Sequence, residues 1–322
     1  MKMNLSKTMF LTTITMSVMM TMSSNSMMFS WMSMELNLIS FLPLLKKSNK
    51  MNEQLMKYLI IQSTSSSMMM ISLIINSIIN NPINESILMM TGMLMKLGMM
   101  PFHLWLPGMM QMMSWNMCMM MTTVQKIIPT VMIVQLSSTK LMMIPMMLSM
   151  LVSPISGMKQ TSLKKMMAYS SITNSPMMIL SMKISKQQFM MMLTMYFMIN
   201  VMMMNTMKKN NINFSNQLNT QTNMTKISLM ISSLSMSGMP PMTGFMIKWM
   251  IMKSTIEFSM MMPIMILMSS ILSTFMYLNM MLPTMTKSSK FKLKTKKKNM
   301  ESNLSLIINT MGIPMLMILK LN

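Results

Sequence analysis

Apolar stretches of about twenty residues follow one another along nearly the whole chain, and a helix of that length is what spans the hydrocarbon core of a bilayer. Eleven such segments can be read, at about 9–28, 30–45, 58–79, 86–106, 115–137, 141–157, 163–182, 188–206, 227–252, 259–282 and 303–321. Open sheet edges have no partners in lipid, and the period-two alternation of a membrane barrel is not sustained here. The expected fold class is therefore all-α, a polytopic membrane protein of about eleven transmembrane helices. The first segment, behind Lys2 and Lys7, looks like a signal peptide, but no small-residue cleavage site follows it, so it is expected to be a retained span. An arginine-rich transit peptide is not expected either. The stretches 208–225, rich in Asn, and 286–300, a lysine run, are expected as polar loops. The second would lie against anionic lipid headgroups.

Composition decides what the apolar residues mean. Of 322 residues 72 are Met, while Arg and Asp are absent and Ala168, Cys118 and His103 are single occurrences. Scarce Ala, Gly, Arg and Asp beside abundant Met, Ile, Asn and Lys fit A+T-rich coding in which AUA is read as Met, as in animal mitochondrial genomes. Met then stands in for Ile and Leu as a flexible apolar residue. A Cu(I) site built on thioethers is disfavoured, because the methionines run the whole length. One Cys, one His and no Asp exclude a disulfide framework, a cysteine zinc site, an iron–sulfur cluster and most triad chemistry in this chain. The net charge of +22 would suit nucleic acid, but the cations are all Lys, interrupted by apolar segments, so no nucleic-acid partner is expected.

Four charges fall inside apolar segments: Glu35, Lys96, Lys126 and Lys248. A charge at bilayer depth costs roughly 2.5–3.5 kcal/mol on insertion scales, so each needs a reason. The bland reading is snorkelling or a static ion pair, strongest for Lys248 near the end of its segment. The sharper reading rests on helix breakers beside each lysine. Gly98 and Pro101 follow Lys96; Pro129 follows Lys126 and frees the carbonyl of Gln125; Gly238, Pro240, Pro241 and Gly244 precede Lys248. Interrupted helices at bilayer depth line polar cavities, and paired interrupted spans point to a transport site between inverted repeats. The pair here is the fourth and ninth segments, five helices apart. This predicts a first repeat at about 9–137, a second at about 141–282 and a C-terminal helix at about 303–321. His103 stands seven residues after Lys96, on the same face of an ideal helix, and titrates near neutrality. A shuttle and a His bonded to a freed carbonyl are equally open. Burial disfavours a charged lysine and a carboxylate favours it, so separating Glu35 from Lys96 would release a proton.

The motifs MELN, KLGMMPFHLWLP, TTVQKIIP, KKMMAYSSI and SLSMSGMPPMTGFMIKW, in order between about residues 30 and 255, resemble the subunit 2 family of mitochondrial NADH:ubiquinone oxidoreductase, respiratory complex I, in an arthropod-like version. The resemblance implies an antiporter-like subunit of the membrane arm, with two broken helices in inverted five-helix repeats. It implies that Glu35 and Lys96 form the first-half ion pair, that Lys126 is the central lysine, that Lys248 is the terminal exchange lysine, and that His103 is the histidine of the PFHFW-type motif. Proton translocation would be coupled to electron transfer from NADH to ubiquinone in other subunits. FMN, iron–sulfur clusters and ubiquinone would belong to those subunits, with no cofactor or metal on this chain. No Gly-rich dinucleotide fingerprint follows a strand here. The implied partners are the other membrane-arm subunits, lipids including cardiolipin, protons and internal water. Departures are Gly108, where many relatives have Glu, Val124, where Trp is usual, and TNSPM after AYSSI, where relatives often have His followed by Gly-Trp. A proton wire relying on those groups would lack them. The alternatives are a free-standing cation/proton antiporter and a purely structural membrane-arm scaffold.

The lysines outside the segments or at their very ends give an orientation. With spans counted in order, nineteen fall on the side of the N-terminus and five on the other. The positive-inside rule then places the N-terminus in the matrix and the C-terminus in the intermembrane space. Protease or tag accessibility in mitochondria with the outer membrane opened and the inner membrane intact should reach the C-terminus alone; both ends on one side would overturn the layout.

Overall fold

The computed structural model describes residues 5–45, 49–79, 87–135, 139–257 and 259–286. Their regular structure is helical. The helices are α1 Leu5–Ser23, α2 Met27–Leu45, α3 Asn49–Ile79, α4 Ile87–Leu97, α5 Trp105–Met112, α6 Trp115–Thr122 and α7 Val124–Gln135, then α8 Thr139–Met158, α9 Leu163–Ile184, α10 Lys186–Lys209, α11 Asn223–Ser237, α12 Thr243–Thr255 and α13 Met261–Thr286. The chain divides into two compact units, Met1–Ser149 and Met150–Asn322. In the first, α1 packs on α2, α3 on α4, and α7 meets α1, α2, α4 and α6. In the second, α10 lies against α9, α11 and α12, and α13 lies against the same three helices.

Among the described residues six helices are long and apolar enough to cross a membrane: Met27–Leu45, Asn52–Ile78, Trp115–Gln135, Leu141–Met158, Lys186–Lys209 and Met261–Pro283. α1 and α9 reach the length with 19 and 22 residues, but Thr and Ser in α1, and Lys164, Lys165 and Lys183 near the ends of α9, dilute their hydropathy. The fourth and ninth segments are divided, into α4 and α5 and into α11 and α12, so neither half has spanning length by itself. The expected C-terminal helix and the lysine run lie outside the described residues.

Polarity is arranged as lipid requires. Met261, Ile264, Ile271 and Phe275 of α13 and Leu5, Met9 and Met19 of α1 are exposed, while Ser33, Ser65, Ser153, Ser171, Ser175 and Ser235 are buried. Small residues let helix backbones approach where water is absent. Their hydroxyls stay satisfied inside their own helices: Ser33 Oγ donates to Ser30 O at 2.6 Å, Ser171 Oγ to Ala168 O at 2.7 Å and Ser235 Oγ to Ser232 O at 2.7 Å. The Asn-rich stretch after α10 is less open than its composition suggests. Ile212 and Leu218 are buried, residues Ser215–Thr220 form a 3-10 helix, and a bridge between Ser162 and Phe214 ties it to the start of α9.

Both divided segments end their first half in the same way. Gly98 has φ +65° and Gly238 φ +82°, the left-handed conformation that glycine adopts without a Cβ clash. Behind Gly98, Met99 N–H donates to Leu94 O at 3.1 Å and Gly98 N–H to Met95 O at 3.2 Å. Behind Gly238, Met239 N–H donates to Leu234 O and Gly238 N–H to Ser235 O, both at 3.2 Å. Pro101 and the pair Pro240 and Pro241 fall in the non-helical stretch that follows. Gly244 opens α12 so close to α11 that a Cβ there would run into the Ser235 carbonyl. At Pro129 the structure differs from the sequence expectation. α7 passes through this proline, and the interruption is at Thr123, between α6 and α7. A proline inside a helix removes one donor, which one turn of neighbouring bonds can absorb.

The two kinds of glycine should separate on substitution. In Gly238→Ala a Cβ would meet Lys248 Cδ at 2.7 Å, and the left-handed backbone adds about 1–2 kcal/mol for an L-residue. Gly108→Ala meets Gln54 Oε1 at an ordinary 3.4 Å within a helix. Thermal unfolding of the purified protein should show a lower midpoint for Gly238→Ala and no loss for Gly108→Ala.

Candidate proton-handling site

Lys96 belongs to the last turn of α4, two residues before the glycine that ends it. A cation there faces the negative end of the helix dipole. Its Nζ lies 3.4 Å from Glu35 Oε1 on α2, and the lysine is 8 % exposed. Met95 O, beside it, accepts from the Gly98 N–H and from the indole Nε1 of Trp105 at 3.1 Å, so the first residue of α5 is latched back onto the end of α4. Trp105 in turn meets Tyr58 with ring centroids 5.6 Å apart, and Tyr58 meets Phe41 edge-on at 6.1 Å.

Lys126, 2 % exposed, lies in the first turn of α7, where its N–H donates to Thr123 O at 3.1 Å. Lys96 and Lys126 line one cavity of about 30 Å³, together with Asn37, Tyr58, Gln62 and Gln125. A space of 10–15 Å³ on this measure holds a water, so there is room for about two. Asn37 and Gln125 form a reciprocal amide pair across it. Asn37 Nδ2 donates to Gln125 Oε1 at 2.7 Å, and Gln125 Nε2 donates to Asn37 Oδ1 at 3.2 Å. This pair holds the helix of Lys126 against the helix of Glu35. It escaped the sequence reading, although both residues stand in motifs quoted for their neighbours, two places after Glu35 and one before Lys126.

His103 is half-buried in the non-helical stretch between α4 and α5, with Nδ1 3.2 Å from Pro101 O. The seven-residue phase relation to Lys96 does not survive, because residues 98–104 are not helical, and His103 is not part of the cavity wall. Its neighbour is a backbone carbonyl of the break.

Lys248, 6 % exposed, stands on α12 in the second unit. It reaches back across the break and donates to Ser237 O at 2.5 Å. Ser237 is the last residue of α11, whose carbonyl has no amide within the helix, so the ammonium caps the negative end. Pro129 and Gly98 stand at the walls or ends described above, and Pro240 and Pro241 shape the loop that Lys248 spans. Among the described residues no group of three His, Cys, Asp or Glu is placed to hold a metal.

Lysines buried at the ends of interrupted helices, in an all-helical bundle with an apolar exterior, define an ion-handling membrane protein. The chain belongs to the NADH:quinone oxidoreductase/Mrp antiporter family, whose membrane-domain model matches residues 24–276. Among its relatives, the NADH-ubiquinone oxidoreductase chain 2 of Locusta migratoria is 36% identical over 265 residues, 79% of this chain and 78% of that one. The protein of the same name from Anopheles gambiae is 33% identical, over 78% of this chain and 77% of its own. Two solved structures share the fold. A chain of respiratory complex I from Thermus thermophilus superposes with a TM-score of 0.78 at 15% identity, covering 96% of this chain and 78% of that one. A chain of an archaeal membrane-bound sulfane sulfur reductase gives 0.79 at 16%, covering 95% and 72%.

The amide pair supplies a test of the site's rigidity. Gln125→Leu leaves the Asn37 amide buried without its partner, a loss of about 1–3 kcal/mol. Asn37→Leu should behave alike, and the double variant should lose less than the sum of the two. Additive losses in thermal or denaturant unfolding would show that the pair does not couple α2 to α7.

Proposed function

We propose that this chain is a membrane-arm subunit of NADH:ubiquinone oxidoreductase in the inner mitochondrial membrane, and that Glu35, Lys96, Lys126 and Lys248 relay protons across it. The observation that carries the reading is the cavity shared by Lys96 and Lys126, with Glu35 3.4 Å from the first lysine. An ammonium buried there depends on its carboxylate. Moving Glu35 away leaves the charge uncompensated, and the lysine then gives its proton to cavity water or a neighbouring base. Lys126 stands on the same water-sized space to receive it. Lys248 repeats the arrangement with a helix-end carbonyl in place of the carboxylate. His103, at the half-buried break, is suited to exchange protons with the surroundings.

Electron transfer belongs to other subunits in this reading, with FMN, iron–sulfur clusters and ubiquinone held there. The apolar outer faces would meet lipid and neighbouring membrane-arm subunits, and the lysine-rich ends would meet anionic lipid such as cardiolipin. The N-terminus lies in the matrix, and the spans at about 9–137 and about 141–282 are inverted repeats of five helices.

Lys126→Met keeps length and apolar volume and removes the titrating nitrogen. The complex carrying it should assemble and oxidise NADH while pumping fewer protons per electron. An unchanged proton-to-electron ratio in an assembled complex would favour the scaffold reading. Failure of the chain to co-migrate with NADH-oxidising activity on native gels would favour a free-standing antiporter.

A further inference from the structure

The amide pair between α2 and α7 joins the two parts of the first site. Met34, Asn37 and Leu38 are the residues of α2 on the cavity wall, three and four positions apart and so on one face of the helix. Glu35 follows Met34 at the flank of that face, half-buried, and meets Lys96 there. Gln125 and Lys126 are neighbours in the first turn of α7, and both line the same cavity. One helix therefore carries Asn37 with the carboxylate of the ion pair, and the other carries Gln125 with Lys126. Asn37 Nδ2 donates to Gln125 Oε1 at 2.7 Å, and Gln125 Nε2 returns a bond to Asn37 Oδ1 at 3.2 Å.

Side-chain amides are not among the groups that titrate, so neither residue is a step of a relay. Their pairing is mechanical. Two bonds running in opposite directions between the same two groups fix the rotation of α2 about its axis as well as its distance from α7. Cα atoms lie about 2.3 Å from a helix axis, and side-chain ends two to three times as far, so a turn of about 20° moves such an end by about 2 Å. A hydrogen bond is lost within a few tenths of an ångström of that travel. A turn of α2 that parts Glu35 from Lys96 therefore breaks both amide bonds or pulls α7 along. Breaking them strands two polar groups in the interior, and moving α7 strands none. We propose that Asn37 and Gln125 are positioning residues that make the parting of Glu35 from Lys96 and the displacement of Lys126 one event. Lys126 then shifts at the moment Lys96 loses its carboxylate, and at no other. Without the pair the ion contact opens while Lys126 stays behind, and the proton returns to Lys96.

This inference rests on the relay reading of Glu35, Lys96 and Lys126 and deepens it. The test uses the intact complex in proteoliposomes and reads protons pumped per electron, with Lys126→Met as reference. Asn37→Gln lengthens one arm of the pair by a methylene, Gln125→Asn shortens the other by one, and the double exchange restores the span. Each single variant should lose the same share of pumped protons as Lys126→Met, and the double exchange should regain the unaltered ratio. A full ratio in both single variants, with Lys126→Met impaired, overturns the positioning role and leaves the relay reading standing. A full ratio in all three overturns the relay reading and the role of the pair with it. A double exchange as impaired as the single variants overturns the role, because reuniting the pair then restores nothing. Should the single variants fail to assemble, density maps of the unaltered complex in turnover decide. Glu35 parted from Lys96 with the pair kept and α7 displaced supports the coupling, and Glu35 parted with α7 in place overturns it.

Discussion

A lysine buried in an apolar bundle must meet something negative, and for Lys96 and Lys248 the meeting place is the end of an interrupted helix, whereas Lys126 stands in the first turn of α7. Continuous helices satisfy every carbonyl internally and offer an ammonium nothing. Stopping α4 at Gly98 and α11 at Gly238 exposes last-turn carbonyls and a dipole end inside the protein. The first unit adds a carboxylate from α2 beside Lys96, and the second sets Lys248 on the carbonyl of Ser237. The same stop thus serves an ion pair in one unit and a backbone cap in the other.

The rest of the packing follows from keeping these stops closed to lipid. Many serines, such as Ser33, Ser171 and Ser235, face inward with hydroxyls returned to their own helices, so neighbouring helices approach closely there. The indole of Trp105, with the tilted and edge-on ring contacts through Tyr58 and Phe41, packs beside the first break. Methionine occupies much of the remaining core, Met89, Met93 and Met109 among the fully buried side chains. Its flexible thioether fills the uneven space around half-helices that a stiffer residue would leave open.

What the sequence revealed depended on rarity. Against so much Met, Ser and Asn, a charge within an apolar segment or a glycine before prolines stands out, so Glu35, Lys96, Lys126, Lys248, Gly98 and Gly238 were legible. The Pro129 interruption was misplaced because proline signals a lost bond but not whether the helix yields; it yielded at Thr123 instead. The Asn37–Gln125 pair was hidden because two amides 88 positions apart become partners only when α2 and α7 come together. His103 was tied to Lys96 by a helical phase that the break destroys.

The size of the Lys96–Lys126 cavity bears on how well the membrane insulates. A volume of about 30 Å³ is no channel. It has room for about two waters. In the proposed relay a proton would cross such a space by passing between side chains, so the firmness of the Glu35–Lys96 contact would set how often the unit conducts unprompted.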